Sequence, residues 1–206
     1  HEVFKRVRGV TIDTVWKTAG PVRSASGLTL HAERGFDEVR DADLLCIPGG
    51  PGHIELLGDA VVLDWVRQVA AQSHWVTSVC TGALVLGAAG LLQGYRATTY
   101  WASLPNLAPL GATPVAERVV FDRNRVTGGG VTSGIDFALE IIARLWGPDT
   151  ARIAQLSLEY DPQPPFPGGS PQTTPPALVA RMTTAMADYQ ARAAEAVRQA
   201  AARLPR

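Results

Sequence analysis

Cysteine is scarce in this chain: among 206 residues only Cys46 and Cys80 carry a thiol. Two cysteines at unrelated strand positions cannot build a disulfide framework, which points to a reducing compartment, the cytoplasm. Net charge is missing as well, because 19 Lys and Arg balance 19 Asp and Glu. No basic field is therefore present to gather nucleic acid or an anionic membrane. Lysine itself is nearly absent, with only Lys5 and Lys17. The arginine bias fits an arginine-favouring, GC-rich genome, and the equal number of acids argues against a phosphate-binding surface. No apolar run reaches membrane-spanning length, and no internal repeat is visible. Neither G-x-G-x-x-G nor G-K-[ST] occurs, so a phosphate-cradling loop is disfavoured. His1, His31, His53 and His74 have no ligand spacing with one another or with Cys80, which predicts no metal site. No signal-peptide pattern opens the sequence as given, although His1 stands where a Met would, so a targeting segment ahead of it stays open.

What is present centres on Trp75-Val76-Thr77-Ser78-Val79-Cys80-Thr81-Gly82-Ala83-Leu84. Trp75 to Val79 is β-branched and aromatic, whereas Gly82 to Leu92 is rich in Ala, Leu and Gly, so the period changes from strand to helix around Cys80. That is the pattern of a nucleophile elbow. A thiol at a helix N-terminus meets unpaired N–H groups and the positive end of the dipole, which predicts a pKa below the usual value of about 8.5. The plainer reading is a small hydrophobe at a strand end. A second apolar strand, Leu44-Leu45-Cys46-Ile47-Pro48, ends in Gly49-Gly50-Pro51-Gly52, and Ala60 to Gln72 then carries apolar residues at helical spacing. Strand, helix and the Cys80 strand make a βαβ unit, whose right-handed crossover makes the two strands parallel. Ligands in such sheets bind beyond the strands' C-terminal ends, so Gly49, Gly50 and Cys80 share one rim. Backbone amides of Gly49 and Gly50, with that of Thr81, are then candidates to hold a developing anion. An ordinary strand-to-helix turn is the alternative for the glycines.

The alternation continues along the chain. Strands are expected at Val10 to Trp16, Arg96 to Tyr100, Ala112 to Val115, Arg118 to Phe121 and Arg125 to Thr127, and a turn at Ser26-Gly27 leads into a short further strand. Helices are expected at Val131 to Trp146 and Asp149 to Tyr160, parted at Gly147-Pro148. The order implies a doubly wound α/β sandwich with a mostly parallel sheet, and 1–206 reads as a single domain. Seven prolines lie in 161–176; the segment reads as a stiff loop of that domain. One long helix is expected over 177–204, packed on its own domain or across a dimer. Cys46, mid-strand among apolar neighbours, reads as core. His53 reads as a solvated residue at a helix start, and Asp136 as a carboxylate favoured by a helix dipole.

Taken together, Cys46-Ile47-Pro48-Gly49-Gly50, Val76 to Leu92, Arg96 to Trp101 (RATTYW), Gly128 to Leu139 (GGGVTSGIDFAL) and Leu158 to Ser170 (LEYDPQPPFPGGS) resemble bacterial isocyanide hydratases. These belong to the amidotransferase-like superfamily that also holds PfpI-type proteases and the sensor domains of AraC-type regulators. The resemblance implies a flavodoxin-like single domain and a cofactor-free lyase that hydrates an isocyanide to an N-substituted formamide through a thioimidate on Cys80. It also implies a leading strand, absent before His1, that carries an Asp as the acid. Glu2 falls several residues past that site and is not assigned, and without that acid the activity of the chain as given stays open. A homodimer is expected, with neither nucleic acid nor membrane as partner. PfpI-type proteases carry His where Thr81 stands, and relatives often have His at the place of Tyr100, so a Cys-His relay is poorly supported. Two other readings stay open: a ligand-sensing domain of an AraC-type regulator, disfavoured by the absence of a basic recognition pattern, and another cysteine hydrolase of the superfamily.

Overall fold

The computed structural model describes His1–Pro205. The first quarter of the chain makes two small pairs: β1 (Val15–Trp16) runs parallel to β4 (Arg34–Gly35), and β2 (Gly20–Arg23) forms a hairpin with β3 (Thr29–Ala32). The strand expected over Val10 to Trp16 is thus confined to its last two residues. Ahead of them the Thr14 carbonyl accepts from the Glu33 N–H at 2.7 Å, and its hydroxyl donates to the His31 carbonyl at 3.0 Å, but no regular ladder extends further back.

The main sheet is built from β5 (Leu44–Ile47), β6 (Trp75–Val79), β9 (Val119–Asp122) and β10 (Arg125–Gly128), in the order β5-β6-β10-β9. The first three of these in spatial order are parallel and β9 is antiparallel, the return limb of a hairpin through Arg123 and Asn124. Between β5 and β6 lie α1 (His53–Leu56) and α2 (Ala60–Gln72), and after β6 comes α3 (Gly82–Ala88). A short parallel pair, β7 (Arg96–Ala97) with β8 (Thr113–Pro114), flanks a 3-10 segment over Trp101–Leu110. Pro105 and Pro109 lie inside that segment and prevent a regular α-helix there. The chain then runs through α4 (Ser133–Trp146), α5 (Pro148–Ser157), α6 (Pro176–Ala185) and α7 (Ala187–Ala201). Gly147, with φ +90°, turns α4 into α5, whose first residue is the Pro that suits an N1 position.

Strand alternation divides the core into two layers. Leu45, Ile47 and Val76 face α2, α3 and α7, whereas Val126, with the partly buried Leu44, Trp75 and Val79, packs toward α4 and α5. This is the doubly wound sandwich that the sequence implies. Cys46 departs from expectation: its side chain is exposed rather than in the core. It shares a face with Leu44, but β5 is the edge of the sheet, and among the described residues no strand pairs with its outer side.

The long terminal helix also departs from expectation, because it breaks at Met186 (φ −99°, ψ 1°). Thr183 and Thr184 bond back to the carbonyls of Val179 and Ala180 at 2.9 and 3.0 Å, a pattern that bends helices. Beyond the break, α7 packs on its own domain through Ala193, Val197 and Ala200.

Phe137 of α4 is the largest fully buried side chain, 1 % exposed, and it sits against Gly128 at the end of β10. Phe137→Ala is expected to lower stability by about 3–5 kcal/mol through the cavity it leaves. Chemical denaturation at constant slope measures this, and a loss under about 1 kcal/mol would show that α4 does not hold this layer.

Candidate active site

The sharp strand-to-helix junction places Cys80 in the left-handed region, φ +57°. A non-glycine residue there costs about 1–3 kcal/mol and persists only where its surroundings hold it. They do so from both sides. The Cys80 N–H donates to the Gly128 carbonyl at 3.0 Å, and the Cys80 carbonyl accepts from the Thr99 hydroxyl at 2.7 Å. Two glycines let the end of β5 close against the junction. A Cβ on Gly49 would stand 2.7 Å from both Cys80 Cβ and the Thr81 nitrogen, and one on Gly82 would stand 2.1 Å from the Ile47 carbonyl oxygen.

The half-buried Cys80 thiol does not follow the expected shift. Burial pushes it above the ordinary thiol range, and this outweighs the neighbouring Thr81, which acts the other way. The helix start does supply donors, but the sulfur has lost more hydration than they return.

The rim residues assume different parts. Thr81 follows the sulfur directly at the start of α3 and favours its ionised form. Gly50 is turned to Thr81 itself: its N–H donates to Thr81 Oγ1 at 2.9 Å, and its carbonyl accepts from the same hydroxyl at 3.2 Å. The Gly50 amide is thus committed to orienting Thr81, and Gly49 contributes the space that the elbow needs. Thr81→Val removes the partner of the Gly50 N–H in a position 2 % exposed. An expected loss of about 1–3 kcal/mol follows, together with a higher alkylation midpoint for Cys80, whereas Thr81→Ser keeps both near the parent. Thermal unfolding and a pH series of alkylation check the pair, and an unchanged Thr81→Val protein would show that the hydroxyl has no such role.

Other residues singled out by the sequence fall differently. His53 is buried, 3 % exposed, not solvated: its Nδ1 lies 2.9 Å from the Gly50 carbonyl, and burial pushes its pKa down. Asp136 is ion-paired with Arg118 and accepts from the Tyr160 hydroxyl at 2.8 Å, so both carboxylate oxygens are engaged. Glu2 is exposed and pairs with Arg6 at 3.6 Å. Sequence reasoning missed Thr99, which tethers the elbow, and Tyr189, whose hydroxyl lies 3.4 Å from His53 Nδ1. The Thr-Thr of Arg96 to Trp101 marked the first only as part of a string, and Tyr189 read as one more apolar position on a helix. Among the described residues no group of three or more His, Cys, Asp or Glu could hold a metal ion, and no helix is long and apolar enough to cross a membrane.

Comparison with known proteins places this geometry in context. The DJ-1/PfpI family matches residues 1–144. Over 179 residues the chain is 52% identical to the isonitrile hydratase of Pseudomonas putida, covering 87% of this chain and 78% of that protein. It is 30% identical over 145 residues to the HTH-type transcriptional regulator CdhR of Pseudomonas aeruginosa, covering 68% of this chain and 42% of the regulator. Among solved structures, a THiJ/PfpI family protein from Pseudomonas syringae superposes with a TM-score of 0.93 at 41% identity, over 96% of this chain and 82% of that one.

Proposed function

The chain belongs to the DJ-1/PfpI family, and from that premise we propose that it hydrates isocyanides to N-substituted formamides with Cys80 as nucleophile. The observation that carries the reading is the 52% identity to an isonitrile hydratase over most of both chains. The strained elbow supports it, because φ +57° at Cys80 is the kind of backbone outlier that clusters at reacting centres.

The chemistry balances without an external reagent other than water. The sulfur lone pair attacks the terminal carbon of R–N≡C, and the lone pair on that carbon takes up the proton that the thiol gives up, so R–N=CH–S–Cys80 forms by net insertion into S–H. Water then adds to the same carbon, nitrogen is protonated, and the C–S bond breaks to return the thiol and R–NH–CHO. Thr81, next to the sulfur at the helix start, favours negative charge there as the S–H bond ionises and again as the thiolate leaves. A homodimer in a reducing cytoplasm, acting without cofactor or metal, completes the proposal.

The experiment is direct. Purified protein is given an alkyl isocyanide, and the formamide is followed by its formyl proton in NMR. Formation that scales with enzyme supports the reading. The 30% identity to CdhR favours a second one, ligand sensing, in which the isocyanide or another small molecule binds and no formamide appears.

A further inference from the structure

Three donors converge on the Gly50 carbonyl. The His53 backbone N–H reaches it at 3.1 Å, the Thr81 hydroxyl at 3.2 Å and His53 Nδ1, the shortest of the three contacts, at 2.9 Å. A carbonyl oxygen only accepts, so Nδ1 carries hydrogen and the lone pair of the ring lies on Nε2. That Nε2 is buried and has no partner among the described residues. A proton added there would be an N–H buried without an acceptor, so the ring stays neutral, in line with the downward push of burial on its pKa. The Tyr189 ring packs edge-on against it with centroids 6.1 Å apart, and Tyr189 Oη, 3.4 Å from Nδ1, is a weaker second acceptor of the same N–H.

The Gly50 peptide needs such a hold. Its φ is +140°, a conformation that L side chains rarely adopt, and it has no side chain of its own to fix it. The same turn lies directly against the reacting residue, since a Cβ on Gly49 would stand 2.7 Å from Cys80 Cβ and 3.0 Å from Thr81 Oγ1. A shift of the Gly50 peptide is therefore a shift in the wall of the elbow. We propose that His53 is a positioning residue for the Cys80 site: its Nδ1–H pins the Gly50 carbonyl, and the pinned peptide, through its own N–H to Thr81 Oγ1 at 2.9 Å, sets the Thr81 side chain at the start of α3. Thr81 favours the ionised thiol, so a Gly50 peptide released from His53 costs thiolate at Cys80.

The inference rests on Cys80 as the reacting residue, but its test does not require turnover. The tautomer is read in the parent protein by proton–nitrogen correlation of the imidazoles near neutral pH, with the His53 signals assigned by their loss in His53→Asn. A protonated Nδ1 and a bare Nε2 are expected, and a bare Nδ1 overturns the assignment. The effect on the elbow is read as the rate of iodoacetamide alkylation of Cys80 at fixed pH, followed by mass spectrometry of its peptide. His53→Gln, whose amide reaches the place of Nε2 and not that of Nδ1, is expected to slow alkylation by about three- to tenfold, the scale of one hydrogen bond. His53→Asn, whose amide nitrogen matches Nδ1, is expected to restore the rate to within about twofold of the parent's. In a Thr81→Val background the effect of His53→Gln is expected to vanish, because the bond through which it acts is gone. A parent-like rate in His53→Gln, an equal slowing in the Asn and Gln variants, or a His53→Gln effect that persists in full after Thr81→Val overturns the proposal. Absence of formamide from the parent counts against the hydratase reading alone, since none of these readouts passes through it.

Discussion

Cys80→Ala and Cys80→Ser are expected to lose isocyanide hydration by roughly three orders of magnitude or more, the scale seen when a covalent nucleophile is removed. Cys46→Ser is expected to keep most of the activity. The contrast follows from placement. Cys80 sits at φ +57° between the carbonyl of Gly128 and the hydroxyl of Thr99, at the start of α3. Cys46 lies on an edge strand, in register with Thr77, and takes part in none of these bonds. Serine at position 80 preserves the volume and the backbone, but its hydroxyl is a far weaker nucleophile than a thiol. Formamide production by each variant, measured at equal concentration of folded protein, decides the matter. Equal loss in Cys46→Ser would mean that the thiols act together.

The second large effect is structural and acts through the same junction. Gly82→Ala places a Cβ 2.1 Å from the Ile47 carbonyl oxygen and 2.9 Å from that of Pro48. Both are backbone atoms at the end of β5, and neither can turn aside as a side-chain tip would. The substitution must push β5 and α3 apart, at a cost of about 3 kcal/mol or more, the upper end of overpacking in a filled core. Activity is expected to fall with it, since the same displacement moves Gly49 and Gly50 away from Thr81. Gly52→Ala is the matched control, because a Cβ there meets nothing within 4 Å and φ is −62°. A Gly82→Ala protein with unchanged melting temperature would show that the elbow and β5 do not close as described.

The elbow was legible because it is a local event: the change of period at Cys80 and the small residues after it lie within ten positions. The βαβ unit was legible for the same reason, and it brought the Gly49-Gly50 rim to the elbow before any coordinates. What escaped was set by distant parts of the chain. The burial of His53 depends in part on Tyr189, 136 residues away, and no local pattern carries such a contact. The exposure of Cys46 reflects strand order, which alternation within β5 cannot reveal. The break at Met186 comes from two threonine hydroxyls that bond back to the helix, a competition hidden behind an apolar period that runs through it. At Cys80 the helix start is visible in the sequence, whereas the desolvation that pushes the thiol pKa up comes from the folded surroundings.

The central claim is a covalent bond between the Cys80 sulfur and the isocyanide carbon, and rapid acid quench followed by peptide mass spectrometry during turnover tests it most directly. The account predicts that the peptide containing Cys80 gains the full mass of the isocyanide, since addition expels no leaving group, and that the gain is absent from Cys80→Ala and from the peptide containing Cys46. Steady formamide production with no such adduct, undiminished in Cys80→Ala, would contradict it.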